Sequence, residues 1–269
     1  MTDCTHDCKT CKEKDKDCPS KLVVEKTNDF SQIKKVIAVL SGKGGVGKSL
    51  VTSLLAVELT RQGYKVGILD ADITGPSIPR AFNIKGKVSG DEDGIYPAVS
   101  TYGTKIISIN LLLENNTDPV LWRGPVISGV LKQFYTDVIW GDLDYLLIDM
   151  PPGTADTALT IFQSLPVDLA VIVTSPQDLV SMIVEKAVKM AEMMNIKVIG
   201  AVENFSYILC DKCGNKIDLF GQGRKSNLSV EVIDRIPFDG KLTAAVDKGM
   251  IELTENDYLK NTVRMITEN

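Results

Sequence analysis

Histidine is almost missing from this 269-residue chain: His6 is the only one, and it lies in a charged N-terminal stretch. A Ser-His-Asp or Cys-His nucleophilic centre in the folded body is thereby excluded, as is a zinc site that needs two or three imidazoles. Cysteine is absent between residues 19 and 209; the six present are Cys4, Cys8, Cys11, Cys18, Cys210 and Cys213. In a reducing compartment such clusters indicate metal or redox work rather than structural disulfides. Basic residues do not exceed acidic ones (30 against 35, net charge −5), and none cluster into a basic face, so the footprint of a nucleic-acid binder is lacking. No run reaches the roughly 18 apolar residues of a membrane span, and Met1-Thr-Asp-Cys4 does not begin a signal peptide. The expected location is cytoplasmic, with neither nucleic acid nor membrane as partner.

What is present is globular. Apolar residues make up 44% and charged residues 24%, enough for a sizeable core. Residues 1–34 are dense in Lys, Asp, Glu and Cys and read as a metal-binding tail that gains order by holding something. From Lys35 the pattern changes, and residues 35–269 read as one domain. Val36-Ile-Ala-Val-Leu40 is a continuous apolar run, the mark of a parallel strand buried on both faces. Similar runs occur at 66–70, 106–109, 145–149, 169–173 and 198–202. Helical stretches at 48–61, 124–135, 154–164 and 179–194 lie between them, with Gly63 and Asn195 as stops. This alternation predicts an α/β fold with a mostly parallel twisted sheet and helices on both faces. The Gly- and Asp-rich segment 83–100 reads as a surface excursion or hairpin.

Between the first strand and first helix stands Ser41-Gly-Lys-Gly-Gly-Val-Gly-Lys-Ser49, which contains G-x-x-x-x-G-K-S. A strand before this motif and a helix after it are the context a phosphate loop requires. Gly42, Lys43, Gly44, Gly45, Val46, Gly47, Lys48, Ser49 and Leu50 are therefore the expected nucleotide contacts. The glycines let backbone N–H groups converge on phosphate oxygens at a helix N-terminus. Lys48 would neutralise the β- and γ-phosphates, and the Ser49 hydroxyl would ligate Mg²⁺. Asp70, Asp72 and Asp149 end buried strands, at the edge where ligands of such sheets bind. Asp149 suits a magnesium partner, and Gly153 lets the following Pro-Pro-Gly loop approach the γ-phosphate.

With Lys43 early in the loop, the chain resembles the MinD/ParA-like ATPases with a deviant phosphate loop. That resemblance implies a homodimer closed by ATP, in which Lys43 reaches the partner's nucleotide, Asp72 orients the attacking water, Asp70 lies near the metal and Asn204 contacts adenine. Within the group the chain is most similar to the Mrp (ApbC) branch of iron–sulfur cluster carriers. The shared segments are 42–49, Asp70-Ala-Asp-Ile-Thr-Gly-Pro-Ser77, Trp122-Arg-Gly-Pro125, Asp149-Met-Pro-Pro-Gly-Thr154, Glu203-Asn-Phe-Ser206 and Cys210-Asp-Lys-Cys213.

Two thiolates cannot complete the four-sulfur shell of a [4Fe–4S] cluster or of structural zinc, whereas two copies of the pair Cys210 and Cys213 can. A cluster bridging the dimer is the reading adopted, with bridging zinc and a redox dithiol as alternatives. Cys4, Cys8, Cys11 and Cys18 could form a shell by themselves, holding [4Fe–4S] or zinc. The expected function is ATP-dependent transfer of a [4Fe–4S] cluster to apo-proteins, with slow MgATP hydrolysis as a gate. The rival, from a different class, is a MinD/ParA-type positioning ATPase with a zinc-bridged dimer. Met182, Met190, Met193 and Met194 read as core filler, and the mixed-charge stretch 254–269 shows too weak a moment for a membrane-targeting helix.

Overall fold

The structure, a computed structural model, describes residues 24–72, 77–113, 124–153, 156–176, 178–219 and 229–269. In chain order its elements are β1 (Ser31–Ser41), α1 (Lys48–Arg61), β2 (Val66–Asp70), α2 (Ile78–Ala81), β3 (Ser89–Asp91), β4 (Gly94–Tyr96), β5 (Ala98–Val99) and β6 (Lys105–Ser108). There follow α3 (Gly124–Thr136), β7 (Gly141–Asp149), α4 (Asp156–Ser164), β8 (Leu169–Thr174), α5 (Asp178–Met193) and β9 (Lys197–Glu203). Last come β10 (Tyr207–Leu209), β11 (Lys216–Asp218), β12 (Val232–Arg235), α6 (Gly240–Asp247) and α7 (Lys260–Glu268).

Eight strands form one sheet in the order β12-β9-β8-β1-β7-β2-β6-β5, parallel except for the short edge strand β5. The expected α/β fold is therefore present. Its strands read as unbroken apolar runs because both faces are covered. Val36, Ala38 and Leu40 of β1 pack with α3, α4 and α5, while Ile37 and Val39 face α1, α6 and α7. α1 is buried on almost every side: Val51, Thr52, Ser53, Leu54, Leu55, Ala56, Val57 and Leu59 are all buried. A helix whose apolar residues point to all sides must be enclosed, and here the sheet covers one side and the C-terminal segment the other.

β1 sits mid-sheet with β7 on one side and β8 on the other. The chain winds outward from it in both directions, so a crevice opens at the carboxyl end of β1. The phosphate loop leaves β1 at that crevice. In the adjoining strands Asp70 pairs in register with Asp149, and Asp149 with Val39, so both carboxylates reach the same edge.

Several details depart from the sequence reading. β1 begins at Ser31, ahead of the change in patterning at Lys35, and Asn28 Nδ2 ties the preceding segment to the carbonyls of Thr136 (3.0 Å) and Val138 (2.9 Å). Met193 is 82% exposed rather than core filler, since it lies about 100° round α5 from Met194, which packs on the core with Met190. The side chain of Met182 lies outside the described residues. The C-terminal stretch is more amphipathic than expected: Leu259, Val263 and Ile266 form an i, i+4, i+7 stripe buried against α1 and the sheet. β3 and β4 do form the hairpin expected within 83–100. Among the described residues no helix is long and apolar enough to cross a membrane.

Candidate nucleotide-binding site and cysteine hairpin

Backbone conformation shapes the phosphate loop first. Gly45 (φ 81°) and Gly47 (φ 84°) occupy the left-handed region that favours glycine. Gly47 is constrained twice, because a Cβ there would stand 2.1 Å from Asn204 Nδ2. That amide is buried and donates to the Val46 carbonyl at 2.9 Å, bracing the loop from beneath. Asn204 N in turn donates to Thr174 O at 2.8 Å. Among the described residues, the buried Asn204 Oδ1 and Ser41 Oγ atoms find no hydrogen-bond partner.

Asp149 is the hub of the site and is fully buried. Ser49 Oγ donates to its Oδ2 at 2.6 Å, and Thr52 Oγ1 to its Oδ1 at 2.8 Å. Lys48 Nζ, on a side chain only 5% exposed, lies 2.8 Å from the same Oδ1 and 3.9 Å from Asp72 Oδ2. The ammonium makes these contacts as a point charge, without the alignment of a hydrogen bond. Asp70 is buried beside Asp149, accepts from Ser108 Oγ (3.0 Å) and receives the Asp72 N–H (3.2 Å). Burial first, then the charge of Asp149, hold the Asp70 carboxyl well above the usual carboxylate range; Lys48 opposes the shift.

A cleft of ≈ 330 Å³ opens over this hub, lined by Lys43, Lys48, Ser49, Asp72, Pro152 and Val246 among others. The N-terminus of α1 points into it with no acidic residue in its first turn to compete for an anion. The loop after β7 is strapped back by Met150 N donating to Val39 O (3.1 Å) and Gly153 N to Ser41 O (2.9 Å). A buried lysine lacking an aligned acceptor, a helix dipole and inward-turned glycines suit a polyphosphate. The Ser49 hydroxyl touching Asp149 suits a hard divalent cation.

Cys210 and Cys213 stand elsewhere, on the tip of the β10–β11 hairpin. β10 pairs antiparallel with β11, and the turn closes through Cys210 N to Asn215 O (2.9 Å) and Gly214 N to Cys210 O (2.8 Å). Gly214 carries the positive φ of 71° that this turn needs. The Cys210 thiol is shifted below its ordinary value, chiefly by the backbone N–H of Cys213, then that of Lys212 and the Cys213 thiol. Cys213 is exposed and Cys210 half-buried. Among the described residues no third His, Cys, Asp or Glu joins them to make a metal shell.

The description of one protein family, the NUBPL iron-transfer P-loop NTPases (ParA), matches residues 32–269. The chain belongs to that family. The iron-sulfur cluster carrier protein of Clostridium perfringens is 47% identical over 265 residues, covering 91% of this chain and 93% of that one. A nucleotide-binding protein from Archaeoglobus fulgidus, solved in complex with ADP and with Co, is 46% identical with a TM-score of 0.76, over 85% of this chain and 91% of its own. MinD of Pyrococcus horikoshii, solved with Mg-ADP, shares the fold at 20% identity and a TM-score of 0.58, over 88% and 96% of the two chains.

In this NUBPL-family NTPase the residues singled out from sequence fall into two places. Lys43, Lys48, Ser49 and Asp72 line the cleft, with Asp149 buried against Lys48 and Ser49 and Asn204 behind the loop. Cys210 and Cys213 sit on the hairpin. Cys4, Cys8, Cys11 and Cys18 lie outside the described residues, as do Trp122, Arg123 and Thr154. Two participants escaped the sequence reading: Thr52, which looks like an ordinary helix residue, and Ser108, which ends the strand next to that of its partner Asp70.

Proposed function

We propose that this NTPase is a homodimeric, ATP-dependent carrier that takes a [4Fe–4S] cluster as cargo and delivers it to apo-proteins in the cytoplasm. One observation carries the reading. The Cys210–Cys213 turn sets two thiols together at a hairpin tip, one of them exposed, and these supply only half of a four-thiolate shell. A second copy completes the shell, and the names of the relatives from several organisms support iron–sulfur cargo. The cysteine-rich stretch ahead of β1 acts as a separate tail, holding a cluster or zinc on Cys4, Cys8, Cys11 and Cys18.

Hydrolysis is slow and gates transfer. Water adds to the γ-phosphorus as the bond to the β-phosphate oxygen breaks, giving ADP and inorganic phosphate. Mg²⁺, held by Ser49 and Asp149, would offset charge on the phosphate oxygens. Lys48 leaves Asp149 for the β- and γ-phosphates, and Lys43 adds charge from the partner subunit. Asp72 orients the water. Gly153 exchanges its hydrogen bond with Ser41 O for a γ-phosphate oxygen. Positioning and charge neutralisation suffice for such a step.

Anaerobic purification with iron, sulfide and zinc analysis tests the proposal on the full chain, on Cys210→Ala and on a chain lacking residues 1–20. The expected result is loss of the bridging cluster in Cys210→Ala, with nucleotide binding intact, and its retention without the tail. Equal iron and sulfide in Cys210→Ala and parent refutes bridging. Zinc without sulfide in the tail-less chain replaces the carrier reading with the zinc-bridged positioning ATPase.

A further inference from the structure

Among the described residues, the side chains that reach the Asp149 carboxylate come from α1, but they differ in what else they must do. A carboxylate offers about four lone-pair directions. Here Oδ1 accepts from Thr52 Oγ1 at 2.8 Å, with the Lys48 ammonium 2.8 Å away as a charge, and Oδ2 accepts from Ser49 Oγ at 2.6 Å. Among the described residues, Ser49 is the side-chain donor on Oδ2, which leaves that oxygen room for a further partner. Lys48 and Ser49 both have phosphate or metal to serve once a nucleotide arrives. Thr52 does not: its side chain is fully buried, a turn further along α1 and away from the cleft.

We propose that Thr52 is a positioning residue that fixes the Asp149 carboxylate in the orientation needed for a nucleotide-bound divalent cation. The proposal rests on the MgATP reading above. When Lys48 turns to the phosphates, Thr52 is the donor that stays on Oδ1 and stops the carboxylate rotating. Oδ2 then continues to face Ser49 and the metal. The ordinary fate of a helix threonine is a hydrogen bond to the carbonyl four residues back, and Lys48 O does lie 3.1 Å from Thr52 Oγ1. The hydroxyl has a single proton, however, and the ionised oxygen is both nearer and the stronger acceptor. Partners of this kind, one step removed from the metal, typically govern its affinity.

The test uses the full chain with ADP, Mn²⁺ as the probe and electron paramagnetic resonance to count free metal. Thr52→Val keeps the side-chain shape and removes the donor, and Thr52→Ser keeps the donor. Mn²⁺ binding to the ADP complex of Thr52→Val is expected to weaken roughly 10- to 100-fold. ADP affinity in chelator should stay at the parent value, and Thr52→Ser should restore metal binding. Should Thr52→Val fail to fold, Thr52→Ala is measured with the same readouts. Unchanged Mn²⁺ affinity with only a lowered melting temperature overturns the proposal, because a purely structural threonine behaves so. An equal loss of ADP affinity in chelator also overturns it, by placing the role in the phosphate loop. A parent protein whose ADP complex takes up no Mn²⁺ defeats the MgATP reading instead.

Discussion

Replacing Gly47 by alanine perturbs two things at once, and a second substitution separates them. At φ 84° and ψ 30° an alanine bears a left-handed penalty of about 1–2 kcal/mol. Its Cβ would also meet Asn204 Nδ2 at 2.1 Å, so the amide must swing away from Val46 O. Leaving that buried donor and carbonyl unpaired costs about 1–3 kcal/mol. Gly47→Ala should therefore lose roughly 2–5 kcal/mol, a large share of the stability of an ordinary domain. Asn204→Ala alone forfeits the hydrogen bond, about 1–3 kcal/mol. In the double variant the clash is gone and the hydrogen bond is lost only once. Its destabilisation should fall short of the sum of the singles by about 1–3 kcal/mol, the size of the shared contact. Urea unfolding without nucleotide reads this from the midpoints, provided the slopes stay equal. Additivity within about 0.5 kcal/mol would mean that loop and amide are independent, and the bracing argument would fall.

Lys48→Met leaves Asp70 and Asp149 buried with no cation beside them; nucleotide binding should vanish and the empty protein should lose about 3–5 kcal/mol, which denaturant titration measures. The raised pKa of Asp70 carries a definite sign: the native state holds its proton above the ordinary value of 3.8, so stability falls as pH rises through that value until native Asp70 ionises. Asp70→Asn should remove this penalty, making the nucleotide-free protein more stable than the parent above about pH 4 and no more stable below it. Identical pH–stability curves for variant and parent would contradict the burial assigned to Asp70.

The strands and the principal helices were legible because burial on both faces writes long apolar runs, and α1 was found at its full extent from Lys48 to Arg61. The C-terminus was misjudged for a related reason. Its mixed charge hid a stripe of only Leu259, Val263 and Ile266, and so short a stripe stands out only once α1 is seen to need a cover. Met193 was misplaced because hydrophobic type alone does not say which side of a helix end faces the sheet.

Polar contacts were read unevenly, and the unevenness has a cause. Ser49 and Asp149 belong to recurrent motifs, so their meeting could be anticipated across 100 residues of chain. Thr52 carries no such mark: a mid-helix threonine can satisfy its hydroxyl within its own turn, and only the placement of β7 beside β1 brings a carboxylate to it instead. The cysteines show the converse. Their spacing identifies them at once, but the N–H groups that reach the Cys210 sulfur exist only because β10 and β11 pair in the register Leu209 to Lys216 and close the turn at Gly214. Residue type thus finds the atoms able to bind, while strand order and register decide which neighbours hold them in place. Those neighbours are where substitutions should change metal affinity without touching any ligand.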